Sequence, residues 1–236
     1  MTLVAIHQPT FLPWLGWWDK LVRADVLVLL DDVQFSKKGG TWMNRVRMLV
    51  GGEPRWLTVP VDRAYTGTRR VREMRTDESK PWRENLLATI RASYARAPFV
   101  EEVLPVVDDA LATQTDHIAE LNERAIGLLA DGLGLDTSKL VRQSELGVSG
   151  EGTGLLVELC RAVGGNTYLS GDGADGYLEN EVFDAAKLEL TFQEFTPPRY
   201  AQPVTGYVSG LSVIDALMSC GWRGTSDLLR PGKASP

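Results

Sequence analysis

The chain has 236 residues, of which 44% are hydrophobic and 24% are charged, and its formal net charge at pH 7 is −6. This composition indicates an ordinary globular protein, and the acidic balance gives no support for nucleic-acid binding through charge. No apolar run approaches the roughly 20 residues of a membrane-spanning helix, and no signal peptide is visible. The two cysteines, Cys160 and Cys220, are too few for a disulfide framework, so we expect a cytoplasmic protein.

The N-terminal stretch predicts a strand, a helix and a second strand. The predicted strands, residues 3–6 and 25–30, are apolar after Asp25 at the start of the second, as in strands that are buried on both faces. Pro13 suits the first turn of the helix between them, which should run to about residue 23. The carboxyl ends of parallel strands form the crevice in which ligands bind. We therefore expect the polar residues after these strands to share one edge of the sheet: His7, Gln8, Asp31, Asp32 and Gln34.

A basic loop and a β-hairpin come next. The cations of this region are Lys37, Lys38, Arg45 and Arg47, which form a positive patch in an acidic chain. Residues 46–50 and 55–61 are predicted to be the two hairpin strands, joined by residues 51–54. Residues 62–79 are polar and irregular, and we expect one strand among them at 71–74.

The middle of the chain predicts helices. Apolar residues at helical spacing mark helices at about 81–95, 103–111 and 118–129. Thr115 or Asp116 suits the N-cap of the third helix, and Gly132 with Gly134 should end it. These helices, within roughly residues 80–135, either form an inserted helical segment or cover one face of the sheet.

The last third of the chain returns to alternating elements. We predict strands at 140–142, 167–169 and 188–195, a helix at 155–163, and a final helix capped by Ser212. Short buried strands alternating with helices indicate an α/β fold with a parallel, Rossmann-like sheet. We expect one α/β domain over residues 1–224 and a flexible tail at 225–236.

Several motifs carry a family resemblance. They are His7-Gln8-Pro9, Pro13-Trp14-Leu15-Gly16, Asp19-Lys20, Leu30-Asp31-Asp32-Val33-Gln34-Phe35, Trp42-Met43-Asn44-Arg45, Asn166-Thr167-Tyr168-Leu169-Ser170-Gly171, Tyr200-Ala201-Gln202 and Leu211-Ser212-Val213-Ile214-Asp215. Spread over nearly the whole chain, they resemble the WbqC-like family. The resemblance implies a place in the biosynthesis of surface polysaccharides or secondary metabolites. The chemistry it suggests is acyl or aminoacyl transfer to an amine.

Three residues are candidates for catalysis. His7 could act as a general base, since imidazole titrates near neutral pH, or it could simply hold the loop after the first strand. The resemblance favours the catalytic reading. Asp32 could orient the substrate amine, although Asp31-Asp32 could equally be an acid/base pair, a cation site or a loop cap. Cys220 is the weaker candidate for a nucleophile, because no local motif supplies a base for its thiol.

The predicted substrate-binding set is larger. Its members are Gln8, Asp19, Lys20, Asp31, Gln34, Lys37, Trp42, Asn44, Arg45, Ser170, Tyr177, Tyr200 and Gln202. Arg45 and Lys37 would hold phosphates of the donor, because guanidinium groups bind such anions in pairs of hydrogen bonds. The acidic, glycine-rich residues 171–176 lack the spacing of a calcium loop and could instead cradle an anion with backbone N–H groups. No spacing predicts a metal site.

Two other functions stay open. The strand, proline loop and helix with Gly16 look faintly like a nucleotidylyltransferase, but the histidine motif of those enzymes is missing from Pro13-Trp14-Leu15-Gly16-Trp17. A non-catalytic binding protein of a biosynthetic cluster is the third reading. The cofactor is unknown, with ATP or a carrier-bound thioester as candidates. The expected partners are a small-molecule substrate, an acyl or peptidyl carrier protein and a second copy of the chain, with neither nucleic acid nor membrane among them.

Overall fold

A computed structural model of the protein describes residues 1–36, 41–172 and 178–230. The strands are β1 (Leu3–His7), β2 (Val26–Leu29), β3 (Arg45–Val50), β4 (Glu53–Thr58), β5 (Leu140–Arg142), β6 (Thr167–Ser170) and β7 (Glu189–Phe192). Five of them form one sheet in the order β5-β2-β1-β6-β7, and every neighbouring pair in it is parallel. The predicted α/β, Rossmann-like architecture is therefore confirmed.

Helices cover both faces of this sheet. They are α1 (Leu15–Arg23), α2 (Trp82–Ser93), α3 (Val100–Leu111), α4 (Ile118–Leu133), α5 (Gly152–Ala162), α6 (Asn180–Ala186) and α7 (Val213–Leu228). The predicted helical segment in the middle of the chain is present as α2, α3 and α4. These three helices pack in sequence, and α3 and α4 also contact α7.

Side chains alternate between the two faces along each strand, as a pleated strand requires. Ala5 and Leu27 lie in the larger core, together with α1, α4 and α7. Val4 and Val28 lie in a second core, which α5 and α6 close. The apolar runs of β1 and β2 are continuous because both faces are covered.

The hairpin of β3 and β4 is shorter in its loop than predicted. Its strands pair from Arg45 with Thr58 to Val50 with Glu53, which leaves only Gly51 and Gly52 in the turn. Both glycines have positive φ, at 61° and 83°. Two left-handed residues give the tight turn whose twist matches that of the strands.

The strand predicted at 71–74 is wrong. Val71–Glu73 forms a turn of 3-10 helix instead. The Glu73 carboxylate accepts the backbone N–H of Arg70 at 2.8 Å, which bends the chain there. Val71 and Met74 are both fully buried, and their spacing of three residues fits a helical turn rather than an alternating strand.

The C-terminal region contains two features that the sequence did not reveal. Helix α6 has one buried residue, Phe183, so its sequence shows no repeat of apolar residues at helical spacing that would predict a helix. Helix α7 bends at Gly221 (φ 69°, ψ 179°) and continues to Leu228, so residues 225–228 of the predicted tail are helical. Residues 231–236 lie outside the described residues. Ser212 caps α7 as predicted, because its Oγ accepts the backbone N–H of Ile214.

Candidate functional site

The sheet changes direction between β1 and β6. From β1 the chain runs through α1 to β2 on one side, and from β6 it runs through α6 to β7 on the other. Helix α1 packs against the larger core and α6 against the second, so the two connections leave on opposite faces. Such a switch point opens a crevice at the carboxyl ends of the two strands. His7 ends β1 there, and Ser170 ends β6.

His7 is held by its own loop. Its Nδ1 lies 2.9 Å from the backbone oxygen of Gln8 and 3.4 Å from Oγ1 of Thr10. Burial and the positive charge of Lys20 lower the pKa of His7 to about 4, against the opposing effect of the Gln8 carbonyl. The imidazole is therefore neutral at pH 7. Because a carbonyl only accepts, the proton sits on Nδ1, which leaves the Nε2 lone pair as the basic atom.

Lys20 is the most unusual side chain of the crevice. It lies on α1 with only 5% of its surface exposed. Its Nζ lies so close to Gly171 that a Cβ added there would be 3.0 Å away. Burial lowers the pKa of Lys20 to about 8, although the charges of Asp172 and Asp19 work to raise it. The charge of this buried ammonium thus acts on the neutral imidazole of His7.

The two carboxylates near Lys20 are fixed by other groups. Asp172 accepts the backbone N–H groups of Glu194 and Phe195, at 2.7 and 3.1 Å. Asp19 accepts Nε2 of Gln193 at 2.8 Å and lies 3.6 Å from the guanidinium of Arg23. Neither carboxylate forms a direct hydrogen bond with Lys20 within the part of the chain that the structure describes. Their negative charges therefore favour the protonated Lys20 without a direct hydrogen bond to it.

Gln193 is a site residue that sequence reasoning missed. It is 5% exposed, and its Nε2 donates both to Asp19 and to the backbone oxygen of Gly16, at 2.6 Å. It follows β7, so it joins the end of the last strand to α1. The strand was predicted to run from 188 to 195, so Gln193 fell inside it and no strand-end signal marked it.

The two aspartates after β2 bind side chains and backbone groups other than those of His7. Asp31 is buried and accepts both the backbone N–H and the hydroxyl of Ser144. Asp32 forms hydrogen-bonded ion pairs with the guanidinium groups of Arg70 and Arg72. Burial works to raise the pKa of Asp32, but the two arginines outweigh it and lower the pKa. Asp32 is thus a fully ionised carboxylate with its charge already matched.

Residues of the 41–45 turn divide between structural and exposed positions. Asn44 is buried, and its side chain accepts from Thr41 and donates to the backbone oxygen of Val59. Trp42 is exposed and Arg45 is half-buried, and both contact the ring of Trp56. Gln34 is also exposed and forms an isolated bridge with Arg70.

Tyr200, Gln202 and Cys220 belong to a second polar centre, around Asp215. This aspartate is fully buried and accepts Tyr94 and Tyr200 hydroxyls at 2.8 and 2.7 Å and Nε2 of Gln202 at 2.8 Å. Burial raises the pKa of Asp215 against the effect of these three donors. Burial and the charge of Asp215 raise the pKa of the Cys220 thiol. The structure therefore gives Cys220 no feature that favours a thiolate.

Predicted residues Lys37 and Tyr177 lie outside the described residues, as does Lys38. Within residues 1–36, 41–172 and 178–230, no three His, Cys, Asp or Glu side chains are grouped as a metal ion would require. No helix in that part of the chain has both the length and the apolar character of a membrane span. The predicted residues that do meet at the crevice are His7, Gln8, Asp19, Lys20 and Ser170.

Comparison with known proteins covers nearly the whole chain. A model of the WbqC-like protein family matches residues 8–227. An uncharacterized protein of Mycobacterium tuberculosis is 27% identical over 223 residues, which span 94% of this chain and 95% of the relative. No solved structure matches the chain at a significant level. The matched residues begin at Gln8, directly after His7, and include α1 and the residues after β7.

Proposed function

The chain belongs to the WbqC-like protein family, and we propose that it is a transferase that joins an acyl or aminoacyl group to the amine of a small molecule or amino sugar. The biosynthetic setting, a secondary metabolite or a surface polysaccharide, rests on the family resemblance. The observation that carries the proposed chemistry is the pair formed by the buried Lys20 ammonium and the neutral His7 imidazole at the switch point of the sheet.

This pair suits attack of an amine on an activated carbonyl. As the new C–N bond forms, negative charge develops on the carbonyl oxygen, and a fixed cation in a poorly hydrated site stabilises such charge strongly. Lys20 can supply that cation, because its ammonium is protonated below pH 8 and carries little water. Loss of a comparable donor elsewhere costs about 100- to 1000-fold in rate.

His7 can take the proton that the attacking amine must lose. Its Nδ1–H is committed to the Gln8 carbonyl, so the free lone pair belongs to Nε2. A base with a pKa of about 4 is weak but fully deprotonated at pH 7. It acts after the C–N bond has formed, when the nitrogen is cationic and acidic. The proton then passes to the leaving thiolate or phosphate as its bond to the acyl carbon breaks.

Two earlier candidates have no part in this proposal. The carboxylate of Asp32 is matched by Arg70 and Arg72, which leaves it no free charge for an amine. The thiol of Cys220 has a raised pKa, so direct transfer from donor to amine is favoured over a covalent intermediate.

The test is an amide-forming assay with purified protein, a panel of acyl adenylates and acyl thioesters, and a panel of amines and amino sugars, read by mass spectrometry. We expect Lys20→Met and His7→Asn each to lower the rate by at least about 100-fold. The matched controls are Lys80→Met and His117→Asn, at an exposed lysine and at the other histidine. Full activity of either site variant, or no amide with any pair, would contradict the proposal.

A further inference from the structure

Two tryptophans form an exposed aromatic pair on the hairpin side of the protein. Trp42 and Trp56 are each 42% exposed and, apart from Met1, are the exposed large hydrophobic side chains of the described residues. Their rings lie 5.0 Å apart at an interplanar angle of 69°, so together they form an open corner. Exposed indoles in contact with one another provide the surface on which a planar ring stacks.

Positive charge lies on the same surface. The guanidinium of Arg45 sits 4.3 Å from the centre of the Trp56 ring. Arg47 is the direct cross-strand partner of Trp56, and one residue, Val46, separates it from Arg45, so all three side chains share one face of the hairpin. Among the described residues neither arginine has a salt bridge, whereas Arg70, for example, is paired. In a chain of net charge −6 these two cations are free to meet an anion.

This surface adjoins the loop that carries His7. The backbone N–H of Phe11 donates to the oxygen of Trp42 at 2.9 Å. The side-chain nitrogen of buried Asn122 donates both to Pro9 and to Met43 backbone oxygens, at 2.8 and 2.7 Å. The turn with Trp42 and the loop that follows β1 are therefore clamped together. The tryptophan surface is thus attached to the loop that follows His7.

We propose that Trp42, Trp56, Arg45 and Arg47 bind the adenine nucleotide part of the activated acyl donor. The purine would stack in the corner of the indoles, and its phosphate would meet the two guanidinium groups. This inference rests on the proposed function, because an acyl adenylate and a coenzyme A thioester are the activated donors that combine a purine with phosphate. It assigns the substrate class of the same site.

The experiment is titration calorimetry of the full chain with AMP, coenzyme A and inorganic phosphate as probes. We expect a nucleotide to bind more tightly than phosphate, and Trp56→Ala and Arg45→Gln each to weaken its binding about tenfold or more. AMP binding as tightly as coenzyme A indicates an adenylate donor, and binding of coenzyme A alone indicates a thioester. Trp42→Ala is a second variant with the same expectation.

The matched control is Arg55→Gln. Arg55 is an exposed arginine next to Trp56 on β4, and its cross-strand partner is the buried Met48, so it does not belong to the face of Arg45, Arg47 and Trp56. It should bind the nucleotide like the wild type. The inference is overturned if neither nucleotide binds at millimolar concentration, or if the Trp56 and Arg45 variants bind as well as the Arg55 variant. Normal nucleotide binding without amide formation from any donor leaves the inference standing and removes the proposed function instead.

Discussion

Replacement of Lys20 by methionine should make the protein more stable while it lowers the transfer rate. Lys20 is 5% exposed, and burial lowers its pKa from 10.5 to about 8. Each unit of pKa corresponds to about 1.4 kcal/mol, so keeping this ammonium protonated costs the folded protein about 3 kcal/mol. Methionine fills a similar volume without a charge. At pH 6.5 the Lys20→Met variant should therefore gain up to about 3 kcal/mol in free energy of unfolding.

The gain should depend on pH in a defined direction. Between about pH 8 and 10.5 the unfolded chain holds the lysine proton and the folded protein does not, so the stability of the wild type rises with pH across this window. Below it the full cost is present, and above it the cost is gone. The advantage of the variant should thus be complete at pH 6.5 and should largely vanish by pH 10.5.

Urea denaturation at both pH values measures this difference, and in a protein of this size about 3 kcal/mol also raises Tm by about 6–12 °C. Lys80→Met, at an exposed lysine, should change stability by less than about 0.5 kcal/mol. A Lys20→Met variant that is less stable than the wild type at pH 6.5 would refute the reasoning. It would mean that the ammonium is held by partners that more than offset its burial.

Three further outcomes can be measured. The transfer rate should fall as pH drops through about 4, where His7 gains a proton, and as pH rises through about 8, where Lys20 loses one. A fall in rate centred near pH 6.5 would argue against His7 as a base with a lowered pKa. Ser212→Ala should cost about 1–2 kcal/mol in thermal denaturation, because the hydroxyl both caps α7 and donates to Leu12 at 2.8 Å; an unchanged Tm would count against this. Tyr94→Phe should cost about 1.5–3 kcal/mol in urea denaturation, and more than Tyr200→Phe. The Tyr94 oxygen also accepts the backbone N–H of Leu49, whereas Gln202, which donates to Tyr200, keeps its bonds to Val208 and Asp215; the reverse order would contradict the assignment.

The strand ends were the most predictable part of the site. An apolar run followed by a polar residue is a local pattern, and parallel strands collect such residues at one edge whatever the order of the strands. His7 could be placed in this way, and Asp19 and Lys20 were included through the family motif. The same logic also placed Asp32 at this edge, but it could not show that Arg70 and Arg72 occupy its carboxylate. Those arginines lie about forty residues away in an irregular stretch, so no local pattern joins them.

The second polar centre shows the same limit. Tyr200 and Gln202 are polar residues in a loop, and polarity alone is compatible with a substrate or with another side chain. Their partner Asp215 occupies the first turn of α7, a usual place for an acidic residue, and nothing in its spacing reveals that it is fully buried. A buried carboxylate needs hydrogen-bond donors, and those of Asp215 come from the end of α2 and from the loop before α7. They meet only when these segments pack together.

By itself the sequence determined the alternation of buried strands and helices, and hence a parallel sheet with a polar edge. This was possible because the spacing of apolar residues and the length of a strand depend only on neighbouring residues. The tertiary structure alone decided that β1 and β6 lie side by side. The residues just before them, Thr2 and Asn166, are hydrogen-bonded although they are 164 positions apart in the sequence. That adjacency brings Gly171 against Lys20 and removes water from its ammonium. Burial is a property of neighbours from the whole chain, so the shifted pKa values of Lys20 and His7 arise only in the folded protein.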